Sequence, residues 1–545
     1  MPQARKLMCI LLGALMLMSA LSGCAQEEDG GEERFVVRAA VCGQIDSLDP
    51  AMNTDTDAES VFGAIYENLL RLRLDAEDDG VLEPGIAKEY TVVENYDGTV
   101  DYVFELRSSA RWSDGTRVKA KDFVYAWRRL VSPATASPNS ALLSMVKGYD
   151  AARETGDMTQ LAVQAEGDTT FRVTLAYPCA YFLSDVCTAV PTMPLRSDAA
   201  SKNANWATSG AALCNGPYRI GVWSKSEFIQ LRRNESYYES RMVTPDALRF
   251  VFAPDGAAAW RAYEDGLVDY VADPPQVEGA AYLPLRSTGF VLYNHTSDAF
   301  SNEHVRRAFD LSLDRVAVAA AMGAAVTPAT GFVPHGVVNV SPDGEGDFRT
   351  VGGDLIAVDE EGYALRRLEA ESELRTGGYW GGTGFPELAC LYVEEDGTRA
   401  AALAAVGIWR ERLNVPVMAE GVAREEFDRR VRDGEYDLAV DVLRVDRGDA
   451  MDCLAPFAGA DGDNILHYAS KPYDLLIGVA ESSRDPAARA AILHDAEALL
   501  LEETALSPLY FGGAAYYLDE SLTGVRHDLC GNAYFDAATR TELGK

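Results

Sequence analysis

The 545-residue sequence is poor in the residues and motifs from which most catalytic and metal centres are built. It has only six histidines, no His-Glu-x-x-His motif and no Cys-x-x-Cys pair, so the usual signatures of a zinc site are missing. It also lacks a phosphate-binding loop and a Gly-x-Ser-x-Gly elbow. Ser144-Met145-Val146-Lys147 fits the tetrad Ser-x-x-Lys, but the companion motifs of that enzyme class do not occur. We therefore predict no catalytic residue, no metal ligand and no cofactor.

Positive charge is scarce as well. The chain carries 49 Lys and Arg against 84 Asp and Glu, which gives a formal net charge of −35. A surface of this sign repels nucleic acid and favours solubility, so we expect no nucleic-acid partner. The apolar content of 48% is ordinary for a globular protein, but 545 residues exceed what one hydrophobic core supports. We expect two or three subdomains.

The nine cysteines do not form a disulfide framework. Cys9 and Cys24 belong to the N-terminal segment, which leaves an odd and scattered set of seven: Cys42, Cys179, Cys187, Cys214, Cys390, Cys453 and Cys530. Two pairs could form a disulfide bond in an exported protein, namely Cys179 with Cys187, or Cys42 with Cys530.

The N-terminus has the order of an export signal. Arg5 and Lys6 precede an apolar run over residues 7–17, and small residues follow. The run is shorter than the roughly 20 residues of a membrane-spanning helix, which disfavours the alternative of an uncleaved anchor. Leu21-Ser22-Gly23-Cys24 then fits the lipobox of bacterial lipoproteins, in which the cysteine thiol carries a diacylglycerol.

We therefore predict a signal peptide over residues 1–23, lipidation at Cys24 and a flexible acidic tether over residues 24–34. The two acyl chains of one diacylglycerol are enough for stable anchoring. The protein is expected to be extracytoplasmic and anchored to the cell membrane as a lipoprotein.

The most regular stretch of the sequence covers residues 104–137. Its first residues alternate apolar and polar side chains like a half-buried strand, and Trp112-Ser113-Asp114-Gly115 has the composition of a turn. Apolar residues then recur at helical spacing before Pro133: Phe123, Val124, Trp127, Leu130 and Val131. The pattern predicts a strand, a turn and an amphipathic helix that belong to the scaffold.

This stretch resembles the signature of the family 5 extracytoplasmic solute-binding proteins, the oligopeptide- and dipeptide-binding lipoproteins of ABC importers. Other segments resemble the family in the same order along the chain: 44–50, 82–87, 215–218, 234–238, 300–308, 473–477 and 507–510. The resemblance covers nearly all of residues 35–540 and is weakest at 335–365.

The resemblance implies an α/β fold with two lobes of the periplasmic-binding-protein type, an extra domain, mixed β-sheets and a ligand cleft between the lobes. Lobe I is expected from about residues 35–66, 185–290 and 507–540. A small domain is expected from about residues 67–184, and lobe II from about residues 291–506.

The resemblance also implies capture of a peptide by hinge closure. The peptide would be delivered to ABC permease subunits and, through them, to an ATPase, and the protein is expected to be a monomer. A peptide bound regardless of its side chains must be held through its backbone, as an added strand. The flanking segments would be Thr54-Asp55-Thr56 and Val442-Leu443-Arg444.

The charged ends of a bound peptide must meet opposite charges, because an unpaired buried charge is costly. Asp446 occupies the position of the family aspartate that pairs with the peptide amine, and Asp449 or Asp452 could substitute for it. Arg444 or Arg447 could meet the far carboxylate. The alternative is that Asp446 is a surface carboxylate beside these two arginines.

Three functions are compatible with the sequence. The first is the peptide receptor. The second is the same scaffold with a nickel complex, a sugar or a signalling peptide as its ligand. The third, from another class, is an exported enzyme or a surface adhesin or chaperone.

The remaining sequence gives local predictions. Helices are predicted over 60–70, 399–413 and 489–501, an edge strand over 171–175, and a loop insertion from 342 to about 361. Three aromatic residues are assigned either to side-chain pockets or to the core: Tyr125, Trp380 and Trp409.

Replacing Asp446 by alanine is expected to weaken peptide binding, because the peptide amine would lose its charge partner. The affinity of the purified protein for peptides measures the effect. A peptide affinity that is unchanged in Asp446→Ala would remove Asp446 from the site.

Overall fold

The structure is a computed structural model that describes residues 35–54, 58–74, 80–275, 277–341, 344–394, 397–445, 447–459 and 464–541. Several predicted features lie outside the described residues: the signal peptide over 1–23, Cys24, the tether over 24–34, Asp55, Thr56 and Asp446.

The described residues form 23 strands: β1 Val36–Cys42, β2 Leu70–Leu74, β3 Gly80–Pro84, β4 Ala87–Glu94, β5 Val100–Leu106, β6 Val163–Glu166, β7 Thr170–Leu175, β8 Tyr218–Ser224, β9 Phe228–Arg233, β10 Ala247–Ala253, β11 Tyr270–Ala272, β12 Ala281–Tyr293, β13 Thr327–Pro328, β14 Val338–Ser341, β15 Gly344–Asp347, β16 Leu388–Val393, β17 Val417–Val422, β18 Leu438–Arg444, β19 Leu506–Leu518, β20 Leu522–Thr523, β21 Arg526–His527, β22 Ala533–Tyr534 and β23 Thr539–Arg540.

The α-helices of the described chain are Glu59–Ile65, Ala120–Val131, Tyr149–Thr155, Ser197–Lys202, Gly256–Glu264, Glu303–Ser312, Arg315–Met322, Phe348–Gly352, Glu360–Thr376, Arg399–Arg412, Arg424–Arg432, Ala450–Leu454, Lys471–Ser482 and Pro486–Glu502. Short 3₁₀ turns lie at Pro50–Met52, Ser140–Leu143, Met158–Gln160, Val190–Thr192, Trp380–Gly382 and Ala455–Phe457, and a wider π turn at Phe182–Val186. None of the described helices is both long enough and apolar enough to cross a membrane.

The strand, turn and helix predicted over residues 104–137 are confirmed. β5 alternates buried and half-buried side chains, and helix Ala120–Val131 buries its apolar stripe. Asp122 fixes the start of this helix, because its carboxylate accepts the Lys119 N–H at 2.9 Å and the Trp112 indole N–H at 3.1 Å. One buried carboxylate therefore joins the turn to the helix.

A four-stranded antiparallel sheet packs under this helix in the order β4-β5-β7-β6. The ring of Phe171 on β7 lies 5.5 Å from Phe123 and 5.2 Å from Trp127, measured between ring centroids. The prediction that residues 171–175 form an edge strand is wrong, because β7 has a neighbour on each side. Its alternation reflects one covered face, which an interior strand of an antiparallel sheet also shows.

An 11-stranded mixed sheet forms the centre of the molecule, in the order β17-β16-β18-β12-β19-β11-β1-β10-β9-β8, with β13 added to β19. β1 pairs in parallel with β10 and β11, whereas β12 pairs antiparallel with β18 and β19. The predicted α/β class with mixed sheets is therefore confirmed.

Separate hydrophobic cores divide the described chain into two lobes. One core draws on residues between Val37 and Tyr270 and between Leu522 and Ala538, and we call this part the first lobe. Two further cores draw on residues between Phe290 and Tyr510 and form the second lobe. The first core includes residues of both the predicted lobe I and the predicted small domain.

β12 and β19 are 13-residue strands that pass from one lobe into the other. Their register is interrupted where three residues of β12, between Pro284 and Thr288, oppose the single Gly512 of β19. A side chain at Gly512 would collide with Ser287, so the close approach of the two strands requires glycine. We call residues 285–287 together with Gly512 the hinge bulge, since β12 pairs with β18 of the second lobe from Ser287 onwards.

The helix predicted over residues 60–70 is shorter, because it ends at Ile65. The Ile65 carbonyl accepts the N–H groups of Asn215 and Gly216 at 3.1 and 2.9 Å, and β2 begins at Leu70. A contact with a segment about 150 residues away in sequence thus ends the helix, and no local pattern reveals such a contact.

Two other predicted helices, over residues 399–413 and 489–501, are confirmed to within three residues at either end. Trp409 is fully buried and the half-buried Tyr125 packs against the first core, so both belong to the core. Trp380 is 70% exposed, so it belongs neither to the core nor to a pocket.

The loop insertion predicted from residue 342 to 361 is wrong over most of its length. β14 and β15 form a hairpin that is followed by a short helix. Arg349 of that helix is buried and donates to Glu497 at 2.5 Å. The same Glu497 oxygen accepts the N–H groups of Phe332 and Val333 at 2.7 and 2.8 Å. The composition of this segment is acidic and rich in glycine, which is typical of a loop. The segment is nevertheless held in place by Glu497, which is distant in the sequence.

Replacing Arg349 by methionine is expected to lower the free energy of unfolding by about 3–5 kcal/mol, because Glu497 would stay buried without its cation. Chemical denaturation measures the change. Arg307→Met is the control, since it removes ion pairs with Glu369 and Glu373 that are made by a side chain about half exposed to solvent. The control is expected to lose less than about 1 kcal/mol. Equal losses in the two variants would contradict a special role for the buried pair.

Candidate functional site

A cavity of about 770 Å³ lies between the lobes at the hinge bulge. This volume falls within the roughly 300–1,000 Å³ of natural small-ligand sites. The first lobe supplies most of the lining, whereas the described part of the second lobe contributes Arg444, Val445 and Arg447. The cavity is therefore the candidate functional site.

Thr54 lines the cavity, and the 104–137 stretch and its flank hold the Thr54 segment in place. Arg129 forms a two-point ion pair with Asp49, with N–O distances of 2.8 and 2.5 Å. The side-chain amide of Asn139 donates to the Asn53 carbonyl at 2.6 Å. The scaffold helix therefore positions a wall of the cavity.

Arg71 also lines the cavity, and its Nε and Nη2 donors are used within the chain. Its Nε donates to Glu67, and its Nη2 donates to the Tyr238 hydroxyl and, at 2.8 Å, to Glu239. The Tyr237 hydroxyl donates to the other oxygen of Glu67. Burial holds the pKa of both tyrosines above the ordinary value, so the hydroxyls remain donors.

The wall at the hinge bulge depends on Asp185. Arg286 of the bulge donates to one carboxylate oxygen at 2.9 Å, and both side chains are less than 5% exposed. The other oxygen accepts the N–H of Gly448 in the second lobe. A Cβ at Gly448 would lie 2.9 Å from that oxygen, so a larger residue does not fit. Asp185 thus ties the first lobe to the bulge and to the second lobe.

The other charged residues named for the second lobe are largely neutralised within the chain. Asp449 forms a two-point pair with Arg489 at 2.8 and 2.9 Å, and Asp452 forms one with Arg447 at 2.7 and 2.6 Å. The Arg447 guanidinium also lies 5.5 Å from the centroid of Tyr181. These pairs would have to break before Asp449, Asp452 or Arg447 could neutralise a ligand.

Arg444 and Asp273 are charges of opposite sign on the cavity wall, and neither forms an ion pair with the described residues. Arg444 is exposed at the end of β18. Asp273 follows β11 in the left-handed region at φ 48°, and its N–H donates to the Ala515 carbonyl at 2.9 Å. The Asp273 carboxyl is reached by solvent, but the cavity walls limit its hydration. This desolvation raises its pKa, although the Arg444 charge acts in the other direction. Such a wall can bind a ligand that carries both charge signs.

Val442 and Leu443 do not line the cavity. Their side chains pack against the two cores of the second lobe, and their backbones pair with β12. β16 pairs with β18 only at Leu438 and Ala439, so no described strand covers the other edge of β18 over residues 440–444. This open edge leads to Arg444 and the cavity.

Part of the cavity wall consists of residues named from the sequence. Thr54 and Arg444 line it, whereas Asp55, Thr56 and Asp446 lie outside the described residues. Asp273 was missed, because its place depends on the pairing of β11 with β19, which lies more than 200 residues later. The only local signal was Asp-Pro-Pro, which indicates a turn.

The part of the chain that the structure describes contains no group of three or more His, Cys, Asp and Glu side chains placed to hold a metal ion. Its seven cysteines are thiols, so neither of the two disulfide pairs considered from the sequence is formed. Burial raises the pKa of the Cys179 thiol to about 12, which keeps it unreactive.

The family model of the bacterial extracellular solute-binding proteins, family 5 (Middle), matches residues 81–464, more than half of the chain. The chain belongs to this family. The resemblance seen in the sequence is therefore confirmed, and the relatives of this family 5 protein are named as binding proteins rather than enzymes.

The dipeptide-binding protein DppE of Bacillus subtilis is 26% identical to this family 5 protein, over 94% of this chain and 95% of DppE. The probable deoxycholate-binding periplasmic protein YgiS of Escherichia coli is 25% identical, over 85% of this chain and 86% of YgiS. The unliganded open form of the murein tripeptide-binding protein MppA superposes with a TM-score of 0.76 at 21% identity, covering 94% of this chain and 98% of MppA. This superposition confirms the predicted two-lobed fold.

His527 packs behind the cavity, with its Nε2 3.2 Å from the hydroxyl of Tyr270. Burial lowers its pKa from 6.5 to about 4. Between these values the unfolded chain takes up a proton that the folded chain does not bind, so acidification favours unfolding. The contribution of a neutral His527 is complete above pH 6.5 and is lost as the pH falls towards 4.

The stability of the protein is expected to decrease between pH 6.5 and pH 4, and His527→Gln is expected to remove up to about 3 kcal/mol of that decrease. Glutamine keeps a polar group of similar reach and does not titrate. Urea denaturation across this pH range measures both proteins. Parallel pH profiles of the variant and the wild type would contradict the role of His527.

Proposed function

We propose that this family 5 protein captures peptides outside the cytoplasm and delivers them to the permease and ATPase of an ABC importer. In this proposal Cys24 carries the lipid anchor, residues 24–34 are the tether, and the protein works as a monomer. The division into lobe I, small domain and lobe II at the boundaries expected from the sequence is part of the same proposal.

The observation that carries the proposal is the open edge of β18 beside the cavity. A peptide backbone can pair with an uncovered strand edge and be held whatever its side chains are. The edge ends at Arg444, and Asp273 lies on the same cavity wall. A zwitterionic chain therefore finds backbone partners together with one charge of each sign. Asp446, two residues after Arg444 in the sequence, remains our proposed partner for the peptide amine, and Asp55 and Thr56 remain proposed neighbours of the ligand backbone.

Hinge closure follows from the connection between the lobes. β12 and β19 join the lobes at a bulge where their register is already interrupted, so a rotation there disturbs few ladder hydrogen bonds. Closure would bring the second lobe onto a ligand held in the first lobe and exclude water, which strengthens charge contacts.

A second candidate is the same scaffold with a ligand other than a peptide. The name of YgiS, a probable deoxycholate-binding protein, favours this possibility within the family. Leucine side chains in the cavity lining would suit an apolar ligand: Leu283, Leu285 and Leu529. An exported enzyme has no comparable support.

Peptide pools of different lengths are expected to raise the melting temperature, because a ligand at 100 times its Kd adds about 2.7 kcal/mol of stability.

Arg444→Gln and Asp273→Asn are each expected to weaken peptide binding about 10-fold, since each removes a charge-assisted contact. Arg307→Gln, a surface change on the second lobe, is the control and should bind like the wild type. Stabilisation by deoxycholate and by none of the peptide pools would replace the first candidate by the second.

A further inference from the structure

Arg73 is a second cavity-lining arginine whose charge the described chain leaves unpaired. It lies on β2, where its Nη1 donates to the carbonyl of the adjacent Leu72 at 3.0 Å. No carboxylate of the described residues lies within ion-pair distance of its guanidinium, and its buried Nε has no hydrogen-bond partner. In a chain with 84 acidic and 49 basic residues, an unpaired arginine in a cleft is unexpected.

Arg71 and Arg286 also line the cavity, but carboxylates of the chain neutralise them. Arg71, two residues earlier on the same strand, is surrounded by Glu67, Glu239 and two tyrosines. Arg286 pairs with Asp185 at 2.9 Å. Arg73 thus lines the same cavity as these arginines but lacks their carboxylate partners within the described chain.

A rigid aromatic platform holds the Arg73 guanidinium in position. Its central carbon lies 3.3 Å from the centroid of Tyr534, a cation–π arrangement that leaves the positive charge available to an anion. The Tyr534 hydroxyl donates to Asp528 at 2.9 Å, which fixes the ring. Gly63 makes room for it, because a Cβ there would lie 2.6 Å from the ring. Because the stacked side chain of Arg73 has little conformational freedom left to lose, it can bind a ligand at a small entropic cost.

We infer that Arg73 on the Tyr534 platform is a binding position for a ligand carboxylate and selects peptides that present a carboxylate at this point. The inference rests on the proposed peptide-binding function. Arginine is the residue best suited to this task, because its planar group matches a carboxylate. The carboxylate comes either from the peptide C-terminus or from an acidic side chain, and the experiment separates these two sources.

The probes are four tetrapeptides: Ala-Ala-Glu-Ala and Ala-Ala-Gln-Ala, each with a free and with an amidated C-terminus. Calorimetry gives their Kd for the wild type, Arg73→Gln and Arg73→Lys. Arg249→Gln is the matched control. Arg249 is also stacked on a ring, with its central carbon 3.9 Å from the centroid of Phe228, and its buried Nε also lacks a partner, but it does not line the cavity.

The expected result is that the wild type loses about 10-fold in affinity when the relevant carboxylate is removed from the peptide. Loss on amidation identifies the C-terminus, and loss on replacing Glu by Gln identifies the side chain. In Arg73→Gln the same peptide change should have almost no effect, whereas Arg73→Lys should keep part of the preference and Arg249→Gln all of it. Melting curves of the free proteins check that each variant is folded.

Two negative results have different meanings. If the wild type binds the peptides and Arg73→Gln keeps the full carboxylate preference, the inference is wrong and the proposed function stands. If none of the four peptides binds the wild type and the peptide pools also fail to bind, the proposed function fails and the inference fails with it. Should Arg73→Gln be unfolded, Arg73→Lys decides the question: a reduced carboxylate preference supports the inference, and an unchanged preference overturns it.

Discussion

The buried carboxylate of Asp185 holds together the three parts that meet at the cavity. It accepts hydrogen bonds from Arg286 of the hinge bulge and from the backbone of Gly448 in the second lobe. Removing one partner from a buried charge pair is far more costly than forming the pair is favourable. Any rotation that separates Gly448 from Asp185 therefore leaves a buried oxygen without a donor. The hinge is free to bend at its interrupted register, but this contact limits the arrangements of the lobes that are stable.

Those features that local chemistry determines could be predicted from the sequence. The turn at Trp112 and the helix Ala120–Val131 follow from residue types and periodicity, and the mixed α/β class and the family follow from the order of such segments. The structure shows that this scaffold also positions the cavity wall, because Arg129 and Asn139 hold the segment that carries Thr54. A stretch that looked purely architectural therefore determines where part of the cavity wall lies.

The features that could not be predicted all depend on contacts between distant parts of the chain. Arg349 belongs to a segment with the composition of a loop, and Glu497, almost 150 residues later, fixes it. Asp273 reaches the cavity because β11 pairs with β19, and Arg73 is notable only because Tyr534 lies beneath it and no carboxylate of the described residues lies beside it. Spacing along a sequence carries no information about such pairs. Asp446 could be named because its position matches a family motif, whereas the charges of Asp273 and Arg73 in the cavity lining could not be foreseen.

The charge of the protein and the charge of the cavity have different consequences for a ligand. A formal charge of −35 repels anions at a distance, but salt screens that field beyond about 8 Å under physiological conditions. Inside the cleft the walls exclude much of the solvent, so a nearby guanidinium acts more strongly than many remote carboxylates. Arg444 and Arg73 supply that local positive charge from the two lobes, and Asp273 supplies the opposite sign. An acidic surface is therefore compatible with a ligand that brings carboxylates, provided that the arginines of the cavity are not neutralised by the chain itself. That condition holds for Arg444 and Arg73 among the described residues and does not hold for Arg71 or Arg447.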